Sequence, residues 1–184
     1  MKRISIYLVL LFVLIACDSR TSLTRMFDSI DSLASSQHPQ KALEALDNIS
    51  PMYASMDKGE RMKYEFLYVK AKAKNYESIA HDSVIVDLAD YYHNKGNNKE
   101  KMEAYYILGI YYKQKGDAPR ALASFSKSLQ YADSTRNVRD MMLVHGMLQE
   151  VYEEGGLYTD ARREMKQAIY YGLKSKDTIA ALIY

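Results

Sequence analysis

The residues of this 184-residue chain that could do chemistry are four histidines, one cysteine and a few paired acids. A transition-metal site needs imidazole, thiolate or carboxylate donors at short spacing, as in His-Glu-x-x-His. His38, His81, His93 and His145 form no such pair and read as surface or loop residues, so neither a metal nor a cofactor is expected. Two carboxylates can share acid–base work, and Glu153-Glu154 and Asp28 with Asp31 are the candidates. On helices both pairs read instead as solvated faces. The chain has no Gly-x-x-x-x-Gly-Lys loop to cradle phosphate and no Gly-x-Ser-x-Gly elbow to present a nucleophile. No catalytic residues are therefore assigned, and an enzyme is not expected.

Binding chemistry is better represented, because the chain carries 17 tyrosines and no tryptophan. Doublets stand at Tyr91-Tyr92, Tyr105-Tyr106, Tyr111-Tyr112 and Tyr170-Tyr171. On a helix a doublet points two ways, so one ring packs between helices while its neighbour meets solvent or a ligand. Tyrosine suits such a surface by joining a rigid apolar body to a polar tip.

The elements that must position these rings repeat at forty residues. In Tyr105 to Leu129, a stripe of Tyr105, Leu108, Gly109 and Tyr112 precedes a turn at Gly116-Asp117; Ala121, Phe125 and Ser128-Leu129 then stripe a second helix. In His145 to Ile169, Leu148 and Tyr152 precede Gly155-Gly156, and Tyr158, Ala161, Met165 and Ala168-Ile169 follow. A mid-helix glycine costs about 1 kcal/mol relative to alanine, so Gly109 implies a close approach, here assigned to Ala121. Its counterpart is Gln149, with Gly146 three residues early, which predicts looser contact in the second copy.

First helices are predicted to start near Asp57, Asn98, Asn137 and Asp177. Met56 to Asn75 with Asp82 to Asn94 reads as a degenerate hairpin, striped by Phe66, Val69 and Ala73 and by Val86 and Ala89. Upstream, Leu23 to Ala34 pairs with Pro39 to Ile49, whose buried face is Ala42, Leu43, Leu46 and Ile49 and which Ser50-Pro51 ends. Asp117 is placed to cap the helix that Pro119 opens, while Gly96-Asn97-Asn98 and Gly155-Gly156 supply positions that tolerate positive φ. No stretch alternates as a strand would. The fold class is all-α, a stack of antiparallel helical hairpins.

These two copies resemble the tetratricopeptide repeat, in which small residues on facing helices let backbones approach and aromatics fill the gap. The resemblance implies a right-handed α-solenoid. The N-terminus resembles a bacterial lipoprotein signal peptide: Lys2-Arg3, an apolar run from Ile4 to Ile15 too short to span a bilayer comfortably, then Leu14-Ile15-Ala16-Cys17. That implies cleavage after Ala16 and lipidation of Cys17, the only cysteine, with enough acyl chains for stable anchoring. Removing residues 1–16 takes Lys2 and Arg3 and no acid, leaving 23 of the 25 bases against 23 acids. The neutral remainder of 168 residues argues against a nucleic-acid partner.

The organisation expected is a signal peptide at 1–16, a tether at 17–21, degenerate hairpins at 22–50 and 51–97, repeats at 98–136 and 137–176, and the start of a further repeat at 177–184. Over nearly the whole chain this is similar to tetratricopeptide-repeat lipoproteins of the Bacteroidetes type. In that family the first helices line a groove for a peptide or protein. Carried over, the groove comprises Tyr64, Leu67, Ala71 and Lys74, then Tyr106, Ile110 and Lys113, then Gly146, Glu150 and Glu153, with lysines at one end and glutamates at the other. It lacks the Lys and Asn constellation that clamps a C-terminal carboxylate. The function implied is a lipid-anchored interaction module, exported and facing the periplasm or the cell surface. Two alternatives are the sensory part of a truncated regulator, and a fragment of a helical outer-membrane lipoprotein that binds glycans.

Overall fold

The computed structural model describes residues 22–175, so Cys17, the segments 1–16 and 17–21, and the start of a further repeat at 177–184 lie outside the described residues. Within 22–175 the chain is all-α, without a strand. It divides into two compact units, one ending at Asn75 and the other beginning at Tyr76. The division falls inside the span 51–97 that the sequence groups as one hairpin.

In the first unit, α1 covers residues 22–35, α2 is Pro39–Ile49, a 3-10 turn follows at Ser50–Ser55, and α3 is Lys58–Lys74. Leu23, Phe27, Ile30 and Ala34 recur at spacings of three and four and meet Ala42, Leu43, Leu46 and Ile49 of α2. Met56, Tyr64, Leu67 and Ala71 complete this core. Proline at the start of α2 sits where its missing N–H does no harm. The ammonium of Lys70, only 3% exposed, donates to Asp31 at 2.7 Å and so ties α3 to α1.

The second unit holds α4 (Val84–Lys95), α5 (Asn98–Gln114), α6 (Ala118–Thr135), α7 (Val138–Glu154) and α8 (Tyr158–Lys174). A shift of forty residues carries both ends of α5 onto those of α7, and the start of α6 onto that of α8. Each helix packs against the next, α4 on α5, α5 on α6, α6 on α7 and α7 on α8. Ala121 and Phe125 of α6 form one core cluster with Val144, Leu148 and Val151 of α7; Met102, Ala132 and Met141 form another.

The boundaries follow from caps. Asp57, Asn97 and Asn137, each forty residues from the next, accept hydrogen bonds from the first free amides of α3, α5 and α7. The first two form full capping boxes with Glu60 and Glu100. At the other end of α5 the Gly116 amide donates to the Lys113 carbonyl and the Asp117 amide to the Tyr112 carbonyl, both at 2.9 Å. The same pair recurs after α7, with Gly156 donating to Glu153 at 2.9 Å and Leu157 to Tyr152 at 2.8 Å. This six-to-one and five-to-two closure requires a left-handed residue, and Gly116 and Gly156 both have φ +72°.

Several expectations need correction. Gly96 has φ −77°, and its missing side chain matters because a Cβ there would lie 2.7 Å from the Tyr92 carbonyl oxygen. Gly155, at φ −82°, is likewise right-handed, so only Gly156 of that pair adopts positive φ. Gly109 faces the ring of Phe125 rather than Ala121: a Cβ would sit 2.6 Å from Cδ1 and 2.7 Å from Cζ. The buried face of α4 is Ile85, Leu88, Ala89 and Tyr92, whereas Val86 is 39% exposed, one position off the true stripe.

Candidate functional site

Three of the four tyrosine doublets behave as helical geometry requires, while at Tyr170-Tyr171 neither ring is buried. Tyr92, Tyr105 and Tyr111 are buried, whereas their neighbours Tyr91, Tyr106 and Tyr112 keep part of their surface. Tyr106 meets Phe125 edge-on, centroids 5.9 Å apart, and Ile110 packs against the cluster around Val144 and Leu148. Both therefore lie where α5, α6 and α7 converge, partly buried and partly open.

Charge on this face is paired across helices rather than separated along it. Lys113 on α5 reaches Glu150 at 3.0 Å and Glu154 at 2.9 Å, both on α7. Burial by itself would lower the lysine pKa, but the two carboxylates outweigh it and the net shift is upward. Glu153 takes no part in that bridge; it accepts a hydrogen bond from Gln149 Nε2. The expected division into a lysine end and a glutamate end is thus replaced by a bridge between α5 and α7 in which one lysine meets two carboxylates.

The expected residues from the first unit are placed differently. Leu67 is fully buried, Tyr64 is 8% exposed, and both belong to the core shared by α1, α2 and α3. Tyr64 meets Tyr53 edge-on at 5.3 Å, and burial raises its phenol pKa above the ordinary value. Ala71 is equally buried, and Lys74 is partly exposed. Tyr64 and Leu67 spend their surface on packing α3 and have none left to line a groove. Of the residues read from the sequence, the structure brings together Tyr106, Ile110, Lys113 and Glu150.

A second site was not foreseen. A cleft of about 610 Å³ lies between α6 and α8, with α7 as its floor. Met141, His145, Leu148 and Tyr152 line it from α7, on the side of that helix away from Glu150 and Glu153. His145 is 8% exposed rather than a surface or loop residue, and its Nδ1 donates to Glu164 Oε2 at 2.7 Å. Arg163 binds the same carboxylate at 3.1 Å and Asp160 at 2.7 Å. The His145 hydrogen bond holds the Glu164 carboxyl below its ordinary range, against desolvation and with help from Arg163. The His145 ring stacks on Tyr171, centroids 5.5 Å apart and planes 10° from parallel.

The repeat register contained the signal for this site. Forty residues earlier stand Tyr105 and Ser124, a buried tyrosine and a buried serine whose hydroxyl donates to the Arg120 carbonyl at 2.8 Å. In the second copy they become His145 and Glu164, which face each other and pair. Pairing of that kind shows once the copies are aligned and both departures are placed on facing helices.

Among the described residues, no three His, Cys, Asp or Glu side chains gather closely enough to hold a metal ion, and no helix is long and apolar enough to cross a membrane. No protein-family model, curated protein or solved structure matches the chain.

Proposed function

We propose that the chain is a non-enzymatic helical-repeat module of the tetratricopeptide kind, anchored through lipid on Cys17, that binds a peptide or protein on the face shared by α5 and α7. The observation that carries this reading is the junction of those helices. Tyr106 and Ile110 are held partly buried on α5, which Lys113 bridges to Glu150 and Glu154 of α7, so the face combines apolar anchoring surface with a paired lysine and one excess carboxylate charge. Such a face favours an apolar side chain of a partner seated beside the tyrosine, because the lysine is already paired and no bare cation must be stripped of water on contact. Lys2-Arg3, the apolar run from Ile4 to Ile15 and the Cys17 that follows support export and anchoring.

The test is photocrosslinking in native membranes from a reactive residue introduced at Ile110, with Val86 on α4 as the exposed control. A discrete adduct from position 110 that is missing from position 86 is the expected result. Identical patterns from the two positions would remove the groove reading. Intact mass of the extracted protein reports acylation of Cys17 independently, and an unmodified thiol would remove the anchor.

A further inference from the structure

The second unit contains a stacked ring pair at the same repeat position twice, and the first pair has lysines over its rings. In the first junction, between α4, α5 and α6, Tyr105 and Tyr131 stack with centroids 6.0 Å apart. Lys127 Nζ lies 5.0 Å from the Tyr105 centroid, and Lys101 Nζ lies 5.7 Å from that of Tyr131. His93 closes the group, its Nδ1 3.1 Å from the Tyr105 hydroxyl and 3.4 Å from that of Tyr131. Forty residues on, the stacked pair is His145 and Tyr171, while Lys101, Lys127 and His93 are replaced by Met141, Gln167 and Asp133. Each basic position of the first junction is neutral or acidic in the second.

Those three replacements all line the cleft between α6 and α8. The imidazole is shorter than the phenol it replaces, and it lines the cleft. Two acceptors remain. The Asp133 carboxylate has no side-chain partner among the described residues, whereas Glu164 is held by His145 and Arg163. His145 Nε2 has no partner among them either; since no buried side-chain nitrogen or oxygen there lacks one, Nε2 is open to solvent. In the tautomer that gives Nδ1–H to Glu164 and carries no proton on Nε2, the ring presents a lone pair at Nε2. Counting Asp133 and Glu164 against Arg163, the lining is net negative.

We propose that this cleft binds a primary ammonium group, delivered from outside to the place where the first junction uses its own lysines. Asp133 pairs with the charge, Nε2 accepts one of its protons, and the Tyr171 ring supplies the cation–π attraction that Tyr105 and Tyr131 give to Lys127 and Lys101. Leu129, Met141 and Leu148 take an alkyl stem, which distinguishes an organic ammonium from a hard metal cation needing a cage of oxygens. The shared chemistry fits two sources, a lysine side chain of a partner or a free small amine.

The experiment titrates the full chain with n-butylammonium, with Nα-acetyl-lysine methylamide, and with the same lysine compound acetylated at Nε, following the Met141 methyl and His145 ring resonances by NMR. Saturable shifts with the two ammonium compounds and none with the acetylated one are expected. D133N should weaken binding about tenfold, the size of one exposed charge pair beside a ring, and Q167K should abolish it by restoring the internal lysine. Both changes are at exposed positions, and far-ultraviolet circular dichroism confirms that the helices persist. Tighter binding of the lysine compound than of butylammonium identifies a lysine side chain as the occupant; equal binding identifies a free amine. Shifts that persist in D133N and Q167K, or that the acetylated compound reproduces, would overturn the proposal. Ile110 does not line this cleft, so crosslinking from it and amine binding here stand or fall separately.

Discussion

One methyl group at Gly109 would overlap three carbons of the Phe125 ring, and that ring is fully buried with little room to retreat. G109A is therefore expected to destabilise the second unit by about 1–3 kcal/mol, as overpacking does. Adding F125L should recover part of the loss in urea melts; an unchanged midpoint for G109A would mean that the ring does not require the glycine. At Glu164 the argument is electrostatic. Its carboxyl pKa is lower in the folded chain than the ordinary 4.5, so the ionised form stabilises the fold above that value, and the contribution disappears as pH falls through the folded pKa. The Glu164 contribution to stability should therefore be lost in acid below about pH 4.5, and E164S, which restores the residue of the first copy, should show a shallower acid slope. Parallel acid slopes for the two proteins would show that the His145 contact does not stabilise the charged form.

At the scale of elements the chain relies on closures repeated in register. Gly116 and Gly156 have the same φ of +72°, and a Cβ at either would meet nothing within 4 Å. Alanine at each position should cost about 1–2 kcal/mol from backbone conformation alone, with nearly equal values at the two sites. Thermal melts of G116A and G156A check this, and strongly unequal losses would show that the two closures are not equivalent. Caps and glycines of this kind are local, which is why the starts of α3, α5 and α7 are legible in the sequence within one residue. Burial along α2 is legible for the same reason, since an amphipathic helix has one apolar stripe and Ala42, Leu43, Leu46 and Ile49 occupy it. On α4, consecutive Val84, Ile85 and Val86 let the stripe be drawn through the wrong residue, and only packing selects Ile85.

For the whole molecule the informative feature is the division at Asn75 and Tyr76. Tyr76 is 99% exposed and holds φ 60°, a left-handed conformation uncommon for a ring-bearing residue. A chymotrypsin-like protease at low ratio is expected to cut after Tyr76 before any buried tyrosine, giving two fragments with masses meeting at that bond. Initial cleavage elsewhere would show that this boundary is better protected than its exposure implies. The division also changes the reading of the groove, because Tyr64 and Leu67 serve the core of one unit while Tyr106, Ile110, Lys113 and Glu150 meet in the other.

By itself the sequence determined the helical class, the forty-residue register, the capped starts and the glycine closures, all of which depend on residues within a turn or two of one another. It also identified Gly109 as a point of close approach, because a glycine inside a helix needs a reason. Tertiary structure decided what each of these meets. Phe125 opposes Gly109, Glu150 and Glu154 rather than Glu153 hold Lys113, and Glu164 holds His145. Those partners lie on other helices, and their selection depends on crossing geometry and side-chain reach, which local spacing does not encode. The cleft between α6 and α8 belongs to the same class, since it is space left by three helices at once and no single segment carries its outline.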